Sequence, residues 1–128
     1  MEESIFFKGT AHKERFIAAM QKIGKVDKDG QLDPWYGAAL YVLSAEEWTW
    51  TAVQSYVRSS GIKFDDILGN IHFSSGYITL IEVAVNLFRE DGQVDLSRFT
   101  NLDEDNFKLV IDAIRIRRYS LQVSDFHE

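Results

Sequence analysis

"KVDKDGQLDPWY" (Lys25–Tyr36) returns, altered, as "FREDGQVDLSRF" (Phe88–Phe99). In both, an acid precedes Gly-Gln, an aliphatic residue and Asp. Two calcium loops would make the chain a paired helix–loop–helix protein. Two ordinary turns would make it a helical bundle. A calcium loop of this kind places oxygen ligands at positions 1, 3, 5, 7 and 9, Gly at 6 and a bidentate Glu at 12. With Gly30 at position 6, Asp27, Asp29 and Asp33 fall at 3, 5 and 9, but Lys25 takes position 1 and Tyr36 position 12. With Gly92 at position 6, Asp91 and Asp95 fall at 5 and 9, but Leu87, Arg89 and Arg98 stand at 1, 3 and 12. Each loop lacks the first carboxylate and the closing one. What remains is the composition of a helix-ending turn.

Working outward, the helical rhythm continues on both sides. Phe16, Ala19, Met20 and Ile23 repeat at helical spacing, so a helix is predicted over about 11–23, with Thr10 as cap and Gly24 as terminator. His12 lies one turn before Phe16 on that face. Pro34 suits the first turn of a helix predicted to run to Leu43, with Ala39, Leu40, Val42 and Leu43 inward. "SAEE" (Ser44–Glu47) matches a capping box opening a third helix to about Arg58, with Trp48, Ala52, Val53, Tyr56 and Val57 as its apolar face. "IKFDDILGN" (Ile62–Asn70) predicts one or two helical turns. A long apolar helix follows over about 76–89, capped by Ser74 or Ser75, and its composition makes it the expected central element. Asp103 caps the last helix, which carries Phe107, Val110, Ile111 and Ile114 inward and ends near Tyr119; Leu102 and Phe107 are placed to staple its start. Residues 119–128 read as a loose tail. The expectation is therefore all-α: one compact domain, 1–128, of about five helices.

Composition narrows the chemistry. The chain has 128 residues, no cysteine, three histidines and a net charge of −6. Disulfides and thiolate metal sites are impossible, and a reducing, cytoplasmic location is expected. No apolar run approaches the ~20 residues of a membrane span, and the opening "MEESIFFKGTAHKERF" is not a signal peptide. The acidic balance disfavours nucleic acid, which is bound through phosphate neutralisation. No phosphate-binding glycine loop or nucleophile elbow is present. No cofactor and no metal are expected.

Several residues remain candidates. His12 and Arg15 could form a polar site with Glu82 and Asn86, which lie one turn apart in the most apolar helix, around a pocket between helices. In the alternative, His12 is a hydrogen-bonded structural residue and Glu82 and Asn86 mark that helix's exposed edge. Trp48 and Trp50 point about 200° apart on a helix, so one of them should be exposed and available to a protein partner. The "RIRR" cluster (Arg115, Arg117, Arg118) could touch phosphate, or complement the helix dipole and nearby acids.

"FFKGTAHKERF", "ALYVLSAEEWTWTAVQSYV", "GIKFDDILGNIHFSSGYITLIEVAVNLF" and "LDEDNFKLVIDAIRIRRY" together resemble a family of small helical bacterial proteins of uncharacterised function, found in Gram-positive bacteria and mobile elements. The matching positions are Phe7, His12, Arg15 and Phe16 in an F-x-x-x-x-H-x-x-R-F opening, then Asn86, Leu87 and Phe88, then Ala113, Ile114 and Arg115. The resemblance implies a helical accessory protein of phage or mobile-element origin and carries no catalytic residue. The expected function is accordingly non-enzymatic binding of an unidentified protein partner in an accessory or regulatory role, with a homo-oligomer as a further option. The alternative is a small-ligand binder or enzyme using the His12, Arg15, Glu82 and Asn86 pocket.

Overall fold

A computed structural model describes residues 4–126. Six α-helices run in the order α1 (Thr10–Lys22), α2 (Pro34–Leu43), α3 (Glu47–Val53), α4 (Phe64–Asn70), α5 (Ser75–Arg89) and α6 (Glu104–Tyr119). Between α3 and α4 the chain makes a 3-10 turn, Gln54–Tyr56, and a small hairpin, β1 (Val57–Arg58) with β2 (Gly61–Ile62). The molecule is thus mostly helical, but it is not the purely all-α bundle of five helices expected. The third helix stops at Val53, five residues short of its predicted end, because the chain turns there to pair Val57 with Ile62.

α2 occupies the centre. It packs against α1, α5 and α6, and every residue from Tyr36 to Leu43 is buried. The sequence predicts the longer α5 as the central helix. The smaller α2 takes that place because Gly37, Ala38 and Ala39 let neighbouring helices come close. A methyl group added at Gly37 would stand 3.1 Å from Ile116 Cγ2 on α6. Around α2 lie Phe16 and Met20 of α1, Leu80, Ile81 and Ala84 of α5, and Leu109, Ala113 and Ile116 of α6, all buried.

The face of α6 differs most from expectation. Of Phe107, Val110, Ile111 and Ile114, only Val110 is buried. The inward residues are Leu109, Val110, Asp112, Ala113 and Ile116. Phe107, Ile111 and Ile114 remain 38%, 40% and 42% exposed. The sequence offers two overlapping apolar stripes, and the one with alanine at its middle fits against α2.

Local signals mostly hold. α1 ends in a left-handed Gly24 (φ 73°), with Lys25 N–H donating to Met20 O at 2.9 Å and Gly24 N–H to Gln21 O at 3.1 Å. This pair of bonds satisfies the last carbonyls of the helix. Thr10 begins that helix rather than capping it; Gly9 stands at the cap position. Ser74 caps α5 by accepting from Tyr77 N–H, and Asp103 caps α6 by accepting from Asn106 N–H at 2.8 Å. The "SAEE" box does not form. Ser44 ends α2 instead, and its buried hydroxyl has no hydrogen-bond partner among the described residues.

The segment expected to be loose is docked. Leu32 N–H donates to Leu121 O at 3.0 Å, Val123 N–H donates to Gly30 O at 2.8 Å, and Leu121 and Phe126 are buried. The Gln31 side chain donates to Ser120 O. The first of the two similar turns therefore pairs with residues after α6, not with the second turn. His127 lies outside the described residues.

Candidate functional site

The two turns show first what their carboxylates do. Asp27 Oδ1 accepts from Asp29 and Gln31 N–H, both at 2.9 Å, closing a tight turn through Gly30 at φ 84°. Asp33 Oδ1 caps α2 by accepting from Tyr36 N–H at 3.0 Å. In the second turn Asp91 pairs with Arg89 at 3.3 Å. No group of three metal-ligating side chains occurs among the described residues.

His12 sits in an aromatic nest of Phe7, Phe16 and Tyr41, with Phe7 meeting its ring edge-on at 5.0 Å. Its Nδ1 accepts from Lys8 N–H at 3.1 Å, which leaves the proton on Nε2, where it is donated to Tyr41 O at 2.9 Å. A backbone N–H can only donate, so this tautomer is fixed. Burial lowers the pKa from 6.5 to about 4, outweighing the opposing bond to Tyr41. The imidazole is neutral at physiological pH and joins the N-terminal segment and α1 to α2. Nearby, Tyr41 OH donates to Phe6 O, and Phe6 N–H donates to Asp112 Oδ2 at 2.7 Å, while Arg115 holds Oδ1 at 2.7 Å. A carboxylate buried on α6 thus clamps the chain ahead of α1. Burial also pushes the Tyr41 hydroxyl far above its ordinary range.

Arg15 caps a helix end. Its Nε donates to Ser44 O at 2.9 Å and its Nη2 to Ala45 O at 3.2 Å, the carbonyls at the end of α2. Lys8 reaches Glu46 at 2.7 Å beside it.

Glu82 and Asn86 serve different contacts. Arg98 bridges Glu82 at 2.5 Å and Thr79 Oγ1 at 2.8 Å. Asn86 donates to Asp91 O at 2.8 Å and Gly92 O at 3.0 Å, closing the turn after α5. Among the described residues no hydrogen bond joins this pair to His12 or Arg15.

Trp48, expected on the inner face of α3, is 51% exposed, leaning on Phe73 and Tyr77. Thr49 and Val53 take the inner positions instead, and Trp50 is half-buried against the core. Within the "RIRR" cluster, Arg115 is held by Asp112. Arg117 is held by Leu87 O and Glu90 and lies 4.1 Å over the Trp35 ring. Arg118 is exposed beside Tyr119.

Two surfaces stand out once these contacts are placed. One is the outer face of α6, where Phe107, Ile111 and Ile114 recur at i, i+4 and i+7 beside a groove of about 490 Å³ formed with Ile5 and Phe6. The other is a groove of about 460 Å³ between α1 and the α3–β1 segment, which brings together Arg15 and Trp50 with Ala18, Ala19 and Lys22. The sequence flagged Arg15 and Trp50 separately, but nothing in it placed them side by side. Lys22 and Ala18 carried no signal beyond their seven- and three-residue spacing from Arg15.

No family model, curated protein or solved structure matches the chain. Among the described residues no helix is long and apolar enough to cross a membrane.

Proposed function

We propose that this chain is a non-enzymatic, protein-binding accessory or regulatory protein, and that the outer face of α6 is its contact surface. The observation carrying this reading is the run of Phe107, Ile111 and Ile114, each more than a third exposed, along one side of a helix whose other side is buried in the core. Single exposed apolar residues are ordinary; an aligned stripe beside an apolar groove is the surface a partner covers.

The charge pattern describes the occupant. Glu104 and Asp105 stand in the first turn of α6 and Arg118 in its last. An amphipathic helix of the same polarity, laid antiparallel, brings acids opposite arginine at both ends and apolar side chains together between them. A second copy of α6 meets that requirement, so the chain itself is the occupant we favour. The aromatic nest around His12, the Arg98 contact of Glu82 and the turn closed by Asn86 support an architectural part for these three residues.

An origin in a phage or mobile element and a cytoplasmic location belong to the same proposal. They rest on the family resemblance and on a chain free of cysteine.

A photo-crosslinking amino acid at position 114 tests the surface. The expected product is an adduct of twice the monomer mass, lost in Ile111→Glu, with none from a crosslinker at exposed Lys28. Absence of any adduct at position 114 would defeat the reading. A defined adduct of another mass would keep the surface and replace the partner.

A further inference from the structure

The groove between α1 and the α3–β1 segment has a composition that sets it apart from the rest of the surface. Arg15 and Lys22 lie seven residues apart on α1, two turns or about 10 Å along the axis. Between them Ala18 and Ala19 leave the helix surface bare, and the opposite wall is Trp50, Gln54 and Val57. The groove holds about 460 Å³ and no acidic residue lines it. That volume lies within the ordinary range for small-molecule sites, which combine an apolar wall with a few polar anchors.

Six of the fourteen lysines and arginines of this acidic chain are seen in ion pairs. Lys8, Arg89, Arg98, Lys108, Arg115 and Arg117 all reach a carboxylate. Arg15 and Lys22, like Lys25, Lys28, Arg58, Lys63 and Arg118, make no ion pair among the described residues, but these two line one groove together. Arg15 is also fixed in place. Two of its five N–H groups hold Ser44 O and Ala45 O, so the guanidinium is oriented while its other donors keep spare capacity. A preset guanidinium, a second cation two turns away, an alanine floor and an indole wall together describe a receptor for a flat apolar body bearing negative charge.

We propose that this groove binds an amphipathic organic anion, an aromatic carboxylate in its simplest form. Its ring would lie on Ala18 and Ala19 against Trp50, with its carboxylate at the Lys22 end and Arg15 adding positive field from the other end of the groove. The proposal is independent of the α6 contact surface, which lies on other residues.

The test uses the intact protein and naphthalene-2-carboxylate as probe, followed by amide NMR shifts. Saturable shifts confined to residues 15–23 and 50–57 are expected, with a dissociation constant at or below about 1 mM. The uncharged naphthalene-2-carboxamide is expected to bind about fivefold or more weakly, and Lys22→Glu to weaken the carboxylate by a similar factor, the scale of an exposed ion pair. Ala18→Leu, at an exposed position, is expected to fill the floor and abolish binding while leaving the remaining spectrum unchanged. Shifts that do not saturate at several times that concentration, equal binding of acid and amide, or indifference to Lys22→Glu would each overturn the proposal. So would shifts centred on α6.

Discussion

α2 and α6 are both rich in apolar residues, yet they end in opposite situations. α2 is buried from Tyr36 to Leu43, whereas α6 buries one side and leaves Phe107, Ile111 and Ile114 in contact with water. The difference lies in their neighbours. α2 is contacted by four helices, α1, α3, α5 and α6, with Gly37 and Ala39 small enough to admit the closest of them. α6 contacts α2, α5 and a 3-10 turn, Leu96–Asn101, and among the described residues no other α-helix packs closely on it. Apolar content measures how much surface a helix could bury; the number of neighbours decides how much it does.

That contrast can be broken most forcefully at the core of α2. Leu40→Ala removes side-chain volume from a fully buried site and is expected to cost about 2–5 kcal/mol, read as a lower urea midpoint. A loss below about 1 kcal/mol would mean that α2 is not the centre of the molecule.

The next largest effect is expected from the imidazole bonded to α2. Folded His12 resists protonation down to about pH 4, whereas the unfolded residue titrates at 6.5. The unfolded chain therefore binds more protons in this window. The stability from neutral His12 is complete above pH 6.5 and is lost as pH falls towards 4, by up to roughly 3 kcal/mol. Urea titrations at several pH values should show the gap between wild type and His12→Gln narrowing with acidification. A constant gap would place the ring in a wetter site.

Gly37→Ala sharpens the comparison at the point where α2 and α6 meet. The added methyl group stands 3.1 Å from Ile116 Cγ2, and a destabilisation of about 1–2 kcal/mol is expected in thermal melts. A stabilised variant would show that α6 can move away without loss. The smallest effect is expected across α6: Ile111→Ala should change the stability of the monomer by about 0.5 kcal/mol or less, while weakening self-association in sedimentation. A core-sized loss would mean that this face is buried.

Much of this architecture was legible from local chemistry. Gly24, Pro34, Ser74 and Asp103 act on the backbone within a few residues, so these helix starts and stops are legible in the sequence, whereas the Asp33 cap of α2 emerged only from the structure. The same locality explains why the two similar turns could be read as turns: ligand spacing is itself a sequence property, and theirs lacks the outer carboxylates. Longer-range placement failed where two local solutions were equally good. In α6, Phe107–Ile111–Ile114 and Leu109–Ala113–Ile116 are both helical stripes, and only the shape of α2 chooses between them. Ser44 could have opened α3 but closes α2. Helical spacing predicts that Trp48 and Trp50 diverge, but it is Trp50, not Trp48, that packs against the core.

The candidate site was less legible than the fold. His12 and Arg15 stood out as residues, but their partners, Lys8 N–H, Tyr41 O, Ser44 O and Ala45 O, are backbone groups that no side-chain pattern announces. The residues after Tyr119 looked loose because they are short and polar, yet Leu121 and Phe126 find places against the first turn and the aromatic nest.

The sequence by itself determined a helical chain, its punctuation, its acidity and the inability of its two Asp-Gly turns to supply a calcium shell, since each depends on residues close together in the chain. Tertiary structure alone decided which helix is central, which face of α6 meets water, and that Arg15, Lys22 and Trp50 share one groove. Those outcomes depend on shape matching between segments far apart in sequence, where a glycine or alanine on one helix selects the side chains of another.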